Sequence, residues 1–190
     1  MRIGLLAAVV LALCAPASPV FAWPKIGQAA PDFTVTTFGG KTVKLADLKG
    51  DVIILNFWAT WCAPCRRELP TLEALFKAYN KYGFQVLAVA TEDSVPPEKL
   101  RPLAAQLTIP FIKHLKGPYR QLDGVPTNYV IDRNGKLVYA KAGAFDVDSF
   151  NAIVFPLLKE PIPEESPQTT TPTTTAPAPT PTGAGPPKAG

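Results

Sequence analysis

Histidine and methionine each occur once in the 190 residues, and cysteine only three times. That scarcity excludes a zinc centre. Zinc takes four ligands, commonly Cys or His, and Cys62 with Cys65 would be half a site, with His114 as the single histidine. No metal and no cofactor is expected. His114 itself reads as a surface or strand-end residue. The chain also lacks a basic run: its Lys and Arg residues are scattered and the formal charge is only +4, which gives no sign of a nucleic-acid partner. No internal repeat marks a solenoid. From Pro161 onward the chain lacks core-building side chains and reads PIPEESPQTTTPTTTAPAPTPTGAGPPKAG. Such a Pro/Thr tail cannot offset the entropy of ordering. Residues 160–190 are therefore expected to be disordered, with a spacer or docking role as the alternative.

The first 22 residues, MRIGLLAAVVLALCAPASPVFA, open on Arg2 and continue in an apolar stretch from Ile3 to Leu13. Pro16 and Pro19 follow, with small residues at Val20 and Ala22, the pattern of an export signal cleaved after Ala22. An uncleaved membrane anchor is the alternative. Lipid attachment through Cys14 is disfavoured by Leu13 before it. Cleavage leaves two cysteines, Cys62 and Cys65, in an oxidising compartment.

One domain is expected over residues 23–159. Phe33–Thr36 and Thr42–Leu45 flank Gly39–Gly40 as a small hairpin. Asp51–Ala59 is a continuous apolar run, a strand buried on both faces. From Cys65, Leu69, Leu72, Leu75, Phe76 and Tyr79 recur at helical spacing up to Gly83, with Pro70 expected to kink the helix. Gln85–Thr91 is a second buried strand. A helix opens at Pro96–Pro97, and Ile109–Leu115 is a short strand. Thr127–Asp132 and Leu137–Lys141 bracket Asn134–Gly135, a hairpin signal. Asp146 caps a last helix. The order predicts an α/β fold, a mixed sheet with helices on both faces.

Two cysteines three positions apart can form a structural staple or a redox couple. Disulfide stabilisation grows with loop length, so a bridge over Ala63 and Pro64 constrains little. A redox couple explains more. The pair lies where a buried strand enters a helix, the edge at which sites of α/β sheets cluster. Cys62 falls at the helix N-terminus, where free N–H groups and the dipole favour a thiolate. Pro64 fits the first turn without losing a hydrogen bond. Cys65 lies one turn in, shielded and placed to attack.

Four segments carry a resemblance: APDF at 30–33, GGKTVKLADLKGD at 39–51, NFWATWCAPCRRELP at 56–70 and GVPTNYVIDRNG at 124–135. Together they resemble the thioredoxin superfamily, in its exported TlpA/ResA/CcmG (DsbE)-like branch, over roughly Pro31 to Leu158. The resemblance implies a thioredoxin fold with an N-terminal β-hairpin extension. It implies a cis Pro126 facing the pair, with Val125 free to pair with a substrate strand and Thr127 in the same segment. Trp61 and Pro64 complete the substrate-facing set, whereas Trp58 is expected in the core. Thioredoxin itself carries a buried Asp where this chain has Asn56. In the ResA-like branch a Glu near the end of the next strand is thought to serve instead, which points to Glu92 or Asp93 as the acid near Cys65, both otherwise solvated loop charges.

The implied activity is that of a periplasmic thiol–disulfide oxidoreductase. Its expected partners are cysteine-containing exported proteins, with apocytochrome c as the family association, and a membrane thiol donor of DsbD/CcdA type. A monomer is expected. Three rivals stand beside it. A DsbA-type oxidase carries histidine between its cysteines, where this chain has Ala63–Pro64. A peroxiredoxin-like peroxidase places Thr three residues before its reactive cysteine, where this chain has Ala59. A docking module without turnover leaves the intact cysteine pair unexplained.

Overall fold

The apolar run after Asp51 becomes the central strand of a seven-stranded sheet. The computed structural model describes residues 23–91, 96–120 and 122–163. The expected export signal, most of the Pro/Thr tail, and Glu92 with Asp93 lie outside the described residues. In chain order the elements are β1 (Thr34–Thr37), β2 (Thr42–Lys44), β3 (Val52–Trp58), α1 (Ala63–Tyr79), β4 (Phe84–Ala90), α2 (Pro97–Ala104), β5 (Phe111–Lys116), β6 (Thr127–Ile131), β7 (Leu137–Ala142), α3 (Val147–Ser149) and α4 (Phe155–Lys159). A π-helical turn, Phe150–Val154, joins α3 to α4 into one closing helix.

The strand order is β2-β1-β5-β4-β3-β6-β7. Strands linked through helices, β3 with β4 and β4 with β5, run parallel. The terminal hairpin β6–β7 is antiparallel, and β6 lies antiparallel to β3. The N-terminal hairpin extends the sheet by pairing β1 antiparallel to β5. His114 stands on β5, exposed, opposite Thr36.

Every residue of β3 is buried, and its side chains alternate between two cores. Val52, Ile54 and Trp58 join α1, α2 and the closing helix through Leu69, Leu72, Phe76, Leu100, Phe150 and Val154. Ile53, Leu55 and Phe57 join Phe33, Val43, Tyr119 and Leu137 on the opposite face. Each such side chain contributes roughly 1.5–3 kcal/mol on burial. The mixed sheet flanked by helices is as expected, but its cover is unequal. Among the described residues no α-helical residue enters the second core, which is closed by Phe33, Tyr119 and, at its rim, Leu45 and Leu48 of a 3-10 turn.

Helix α1 runs unbroken through Pro70. It passes into a 3-10 turn, Asn80–Tyr82, that ends at Gly83 with φ 75°. Gly83 needs to be glycine twice over, for its positive φ and because a Cβ there would meet Arg133 Nη1 at 2.8 Å. Arg133 is buried and donates to the carbonyls of Gly50, Tyr82, Leu157 and Leu158, tying the end of the closing helix to the sheet.

One carboxylate anchors α1. Glu73 accepts hydrogen bonds from the Thr108 and Ile109 N–H groups and the Thr108 hydroxyl, and pairs with Lys77 at 2.8 Å. Burial opposes its charge, but Lys77 and the three donors outweigh that and hold its carboxyl down at about 2. Its stabilisation is therefore complete above its ordinary value near 4.5 and is lost only as pH falls towards 2. Replacing Glu73 with Ala strands two backbone donors and is expected to cost about 2–4 kcal/mol at pH 7. Urea unfolding measures it, and an unchanged midpoint would show that these bonds hold nothing together.

Candidate functional site

The site is built where β3 ends. Trp58 is buried, its ring edge-to-face with Phe111 at 5.5 Å, and so belongs to the core as expected. The turn that follows is closed by Cys62 N–H to the Ala59 carbonyl and by Arg66 Nη1 to the Thr60 carbonyl. Cys62 is the N-cap of α1, with extended backbone, and its sulfur accepts the Cys65 N–H at 3.1 Å. An N-cap is normally a side-chain oxygen, and here Cys62 Sγ takes that place. Negative charge on Cys62 Sγ is thus met by a backbone donor and by the positive end of a 17-residue helix.

Cys62 and Cys65 form a disulfide, with Cα atoms 5.3 Å apart. Cys65 is fully buried and Cys62 3% exposed, so the first cysteine is the outer of the two. Around it the surface opens: Pro64 is exposed and Trp61 is 60% exposed. From the other side comes the segment before β6. The Val125–Pro126 peptide is cis, and the Val125 carbonyl oxygen lies 3.4 Å from Cys62 Sγ. The Thr127 hydroxyl donates to the Gly124 carbonyl and accepts the Leu122 N–H, pinning this loop. The fold thus brings two distant stretches of chain together: Trp61 to Cys65, and Val125 to Thr127, joined where the Val125 carbonyl meets Cys62 Sγ.

Glu92 and Asp93 lie outside the described residues; a further carboxylate, Glu68, stands one helical turn after Cys65 on α1. It is buried and sits three residues after Cys65 on α1. Residues so spaced are neighbours on one helix face, with Cβ atoms roughly 5–6 Å apart. Glu68 Oε1 accepts from Asn128 Nδ2 and from the Phe145 N–H, both at 2.6 Å, and Oε2 accepts from Asn56 Nδ2 at 3.0 Å. Burial pushes its carboxyl up to about 7, against the partial relief of those three donors. Glu68 follows Cys65 on the helical stripe that carries Leu69 and Leu72, a signal too weak by itself to outweigh its charge.

Asn56 is fully buried and donates to both Glu68 and Asn128. The strand position that holds an acid in thioredoxin thus supplies a neutral amide here, and the helix supplies the acid. The arrangement offers three things chemically: an outer sulfur stabilised as an anion, an inner sulfur within bonding reach of it, and a buried carboxyl that changes charge near neutral pH.

Comparison with known proteins agrees with this geometry. Residues 26–140 match the AhpC/TSA family. The thiol-disulfide oxidoreductase ResA of Bacillus cereus is 35% identical over 118 residues, 60% of this chain and 68% of that one. The ResA of Geobacillus thermodenitrificans is 37% identical over 116 residues, 59% of this chain and 66% of that one. Among solved structures, a thiol:disulfide interchange protein of the thioredoxin family from Chlorobium tepidum superposes with a TM-score of 0.59 at 31% identity, covering 72% of this chain and 98% of that one. With its cysteine pair at the head of α1 on a thioredoxin-like fold, the chain belongs to the AhpC/TSA family and, within it, to the ResA-like thiol–disulfide oxidoreductases.

Proposed function

We propose that this chain reduces disulfides in exported proteins in the periplasm, with Cys62 as nucleophile and Cys65 as resolving thiol. The Cys62 thiolate attacks one sulfur of the substrate disulfide, and the other leaves as a thiolate and takes up a proton. Cys65 gives its proton to Glu68 and attacks Cys62 Sγ. The substrate departs as a dithiol, two electrons richer, and the chain is left with the Cys62–Cys65 bridge. A dithiol donor, of DsbD/CcdA type on family grounds, restores the pair by the reverse steps.

The observation that carries this reading is the seat of Cys62 Sγ. It accepts the Cys65 N–H in the first turn of α1 and lies 3.4 Å from the Val125 carbonyl, so the sulfur and the backbone of the cis-proline segment present themselves together. A substrate strand adding to Val125 would bring its disulfide to Cys62. Trp61, exposed next to Cys62, would supply apolar contact to that strand. Apocytochrome c is a fitting substrate, since both its haem-attachment thiols must be free before ligation.

Equilibration with glutathione buffers tests the direction of the reaction. With Ala63 and Pro64 between the cysteines and no histidine, the couple is expected nearer about −270 mV than about −120 mV. A value near the latter would make the chain an oxidase. The reduced protein is also expected not to consume hydrogen peroxide catalytically, which separates it from peroxidases of the same broad family.

A further inference from the structure

Asn128 stands where four parts of the fold meet. It is fully buried on β6, two residues after Pro126. Its Nδ2 donates to Glu68 Oε1 at 2.6 Å and to the Gly143 carbonyl, just past β7, at 3.2 Å. Its Oδ1 accepts from Asn56 Nδ2 of β3 at 2.9 Å. Gly143 N–H in turn donates to the Pro126 carbonyl. One amide thus joins α1, β3, β6 and the end of β7.

The directions of these bonds matter more than their number. Every group aimed at Glu68 is a donor: Asn56, Asn128 and the Phe145 N–H. A proton on Oε2 would face the Asn56 amino group and find no acceptor. Asn56 Oδ1 is buried and has no partner among the described residues, so turning that amide over would offer the proton an acceptor. The turn would also set Asn56 Oδ1 against Asn128 Oδ1, acceptor against acceptor, and break the bond between them. Asn128 therefore locks Asn56 in its donating orientation as well as donating itself.

We propose that Asn128 is a positioning residue for the exchange reaction: it holds Asn56 and Glu68 in the arrangement that keeps the carboxylate charged one helical turn from Cys65, and ties that arrangement to the strand bearing Pro126. This rests on the reading of Glu68 as the proton acceptor for Cys65. Among the described residues, the titratable groups around Glu68 are few. Cys65 precedes it by one turn on α1, and Tyr139 of β7 has its phenol held neutral by burial and by the Glu68 charge. β3 and β6 contribute only the neutral amides of Asn56 and Asn128. Asp146, beyond Phe145, is exposed and engaged with the Ser149 N–H, and Lys141, opposite Asn128 in register, is exposed.

A small aromatic disulfide, 5,5′-dithiobis(2-nitrobenzoic acid), tests this without calling on the protein-binding surface. The first thionitrobenzoate released reports attack by Cys62, and the second reports attack by Cys65. In the unmodified chain the second rate is expected to rise through an inflection near pH 7, where Glu68 ionises. Asn128→Ala should move that inflection up by about one pH unit, a tenfold loss at pH 6 that vanishes by pH 9. Asn128→Ser, which restores one donor, should move it less. Glu68→Gln should erase it, and adding Asn128→Ala to that variant should change nothing further. An unmoved inflection in folded Asn128→Ala, or equal slowing by Asn128→Ala with and without Glu68, overturns the proposal. Should the Ala variant not fold, an unmoved inflection in Asn128→Ser overturns it equally. An inflection that survives Glu68→Gln would instead sink the reading of Glu68, and the role of Asn128 with it.

Discussion

Replacing Cys65 with Ser is expected to arrest the reaction halfway, with substrate held covalently on Cys62. In the intact chain the mixed disulfide is short-lived because its displacing sulfur is already in place, one helical turn away and buried. Well-oriented intramolecular groups act at effective concentrations of about 10⁵ M or more. A millimolar external thiol cannot match that, so loss of Cys65 should slow release of substrate by at least about a thousandfold. The Ser hydroxyl is a poor nucleophile and does not compensate. Cys62→Ser should behave differently: no adduct forms and turnover is lost altogether, because the capped outer sulfur is gone. Mass spectrometry of the Cys65→Ser protein after exposure to exported proteins shows which thiols it has captured. An adduct on Cys65 in the reciprocal variant, in place of none, would reverse the assigned roles.

Glu68→Gln is expected to alter stability and rate in opposite senses. The folded-state carboxyl lies at about 7, above its ordinary value near 4.5, so the folded protein holds the proton more tightly than the unfolded chain. The stability tied to that proton is fully present below about pH 4.5 and is lost as pH rises through 7. Charging Glu68 in its buried seat thus costs about 3 kcal/mol by pH 8, a cost that Gln does not incur. Relative to the intact chain, the oxidised Gln variant should gain about that much between pH 4.5 and pH 8, whatever fixed penalty its changed hydrogen bonds impose. Urea unfolding of both oxidised proteins at the two pH values reads this directly, and parallel stability curves would show that Glu68 titrates normally. The rate should fall, because Cys65 loses the group that takes its proton. General base catalysis commonly supplies a factor of about 10²–10⁴, so resolution at pH 7.5 should slow by about a hundredfold or more. Unchanged resolution in this variant, with slowing in Glu92→Gln or Asp93→Asn, would assign the proton acceptor to one of those two residues instead.

These two expectations differ in how far the sequence alone could reach them. The cysteine pair was legible because its signals are local. An apolar strand, two thiols and a first-turn proline lie within Val52–Leu69, and each has a direct structural meaning. The β6–β7 hairpin was legible for the same reason, from Asn134 and Gly135. Glu68 was not. A charged residue within CRREL reads as a solvated helix face, since burying a lone carboxylate is costly. What makes its burial tolerable arrives from Asn56, Asn128 and Phe145, far apart in the chain and brought together only by the pairing of β3 with β6 and the return of the chain after β7. Asn128 was hidden more deeply, because within TNYVI it reads as one residue of a buried strand. The unequal helical cover escaped too. Periodicity identifies a helix but not the sheet face that receives it, and the second face is closed by Phe33 and Tyr119, from segments that carry no helical period.

The whole mechanism depends on Cys62 being anionic in ordinary conditions. Its sulfur accepts an N–H at the head of α1, and thiols so placed titrate at roughly 3.5–7.5 rather than about 8.5. The rate of iodoacetamide alkylation of the reduced protein, followed against pH with Cys62 identified as the modified residue, measures this directly. A midpoint for Cys62 inside that lower range agrees with the structure; a midpoint near about 8.5, that of a free thiol, contradicts it.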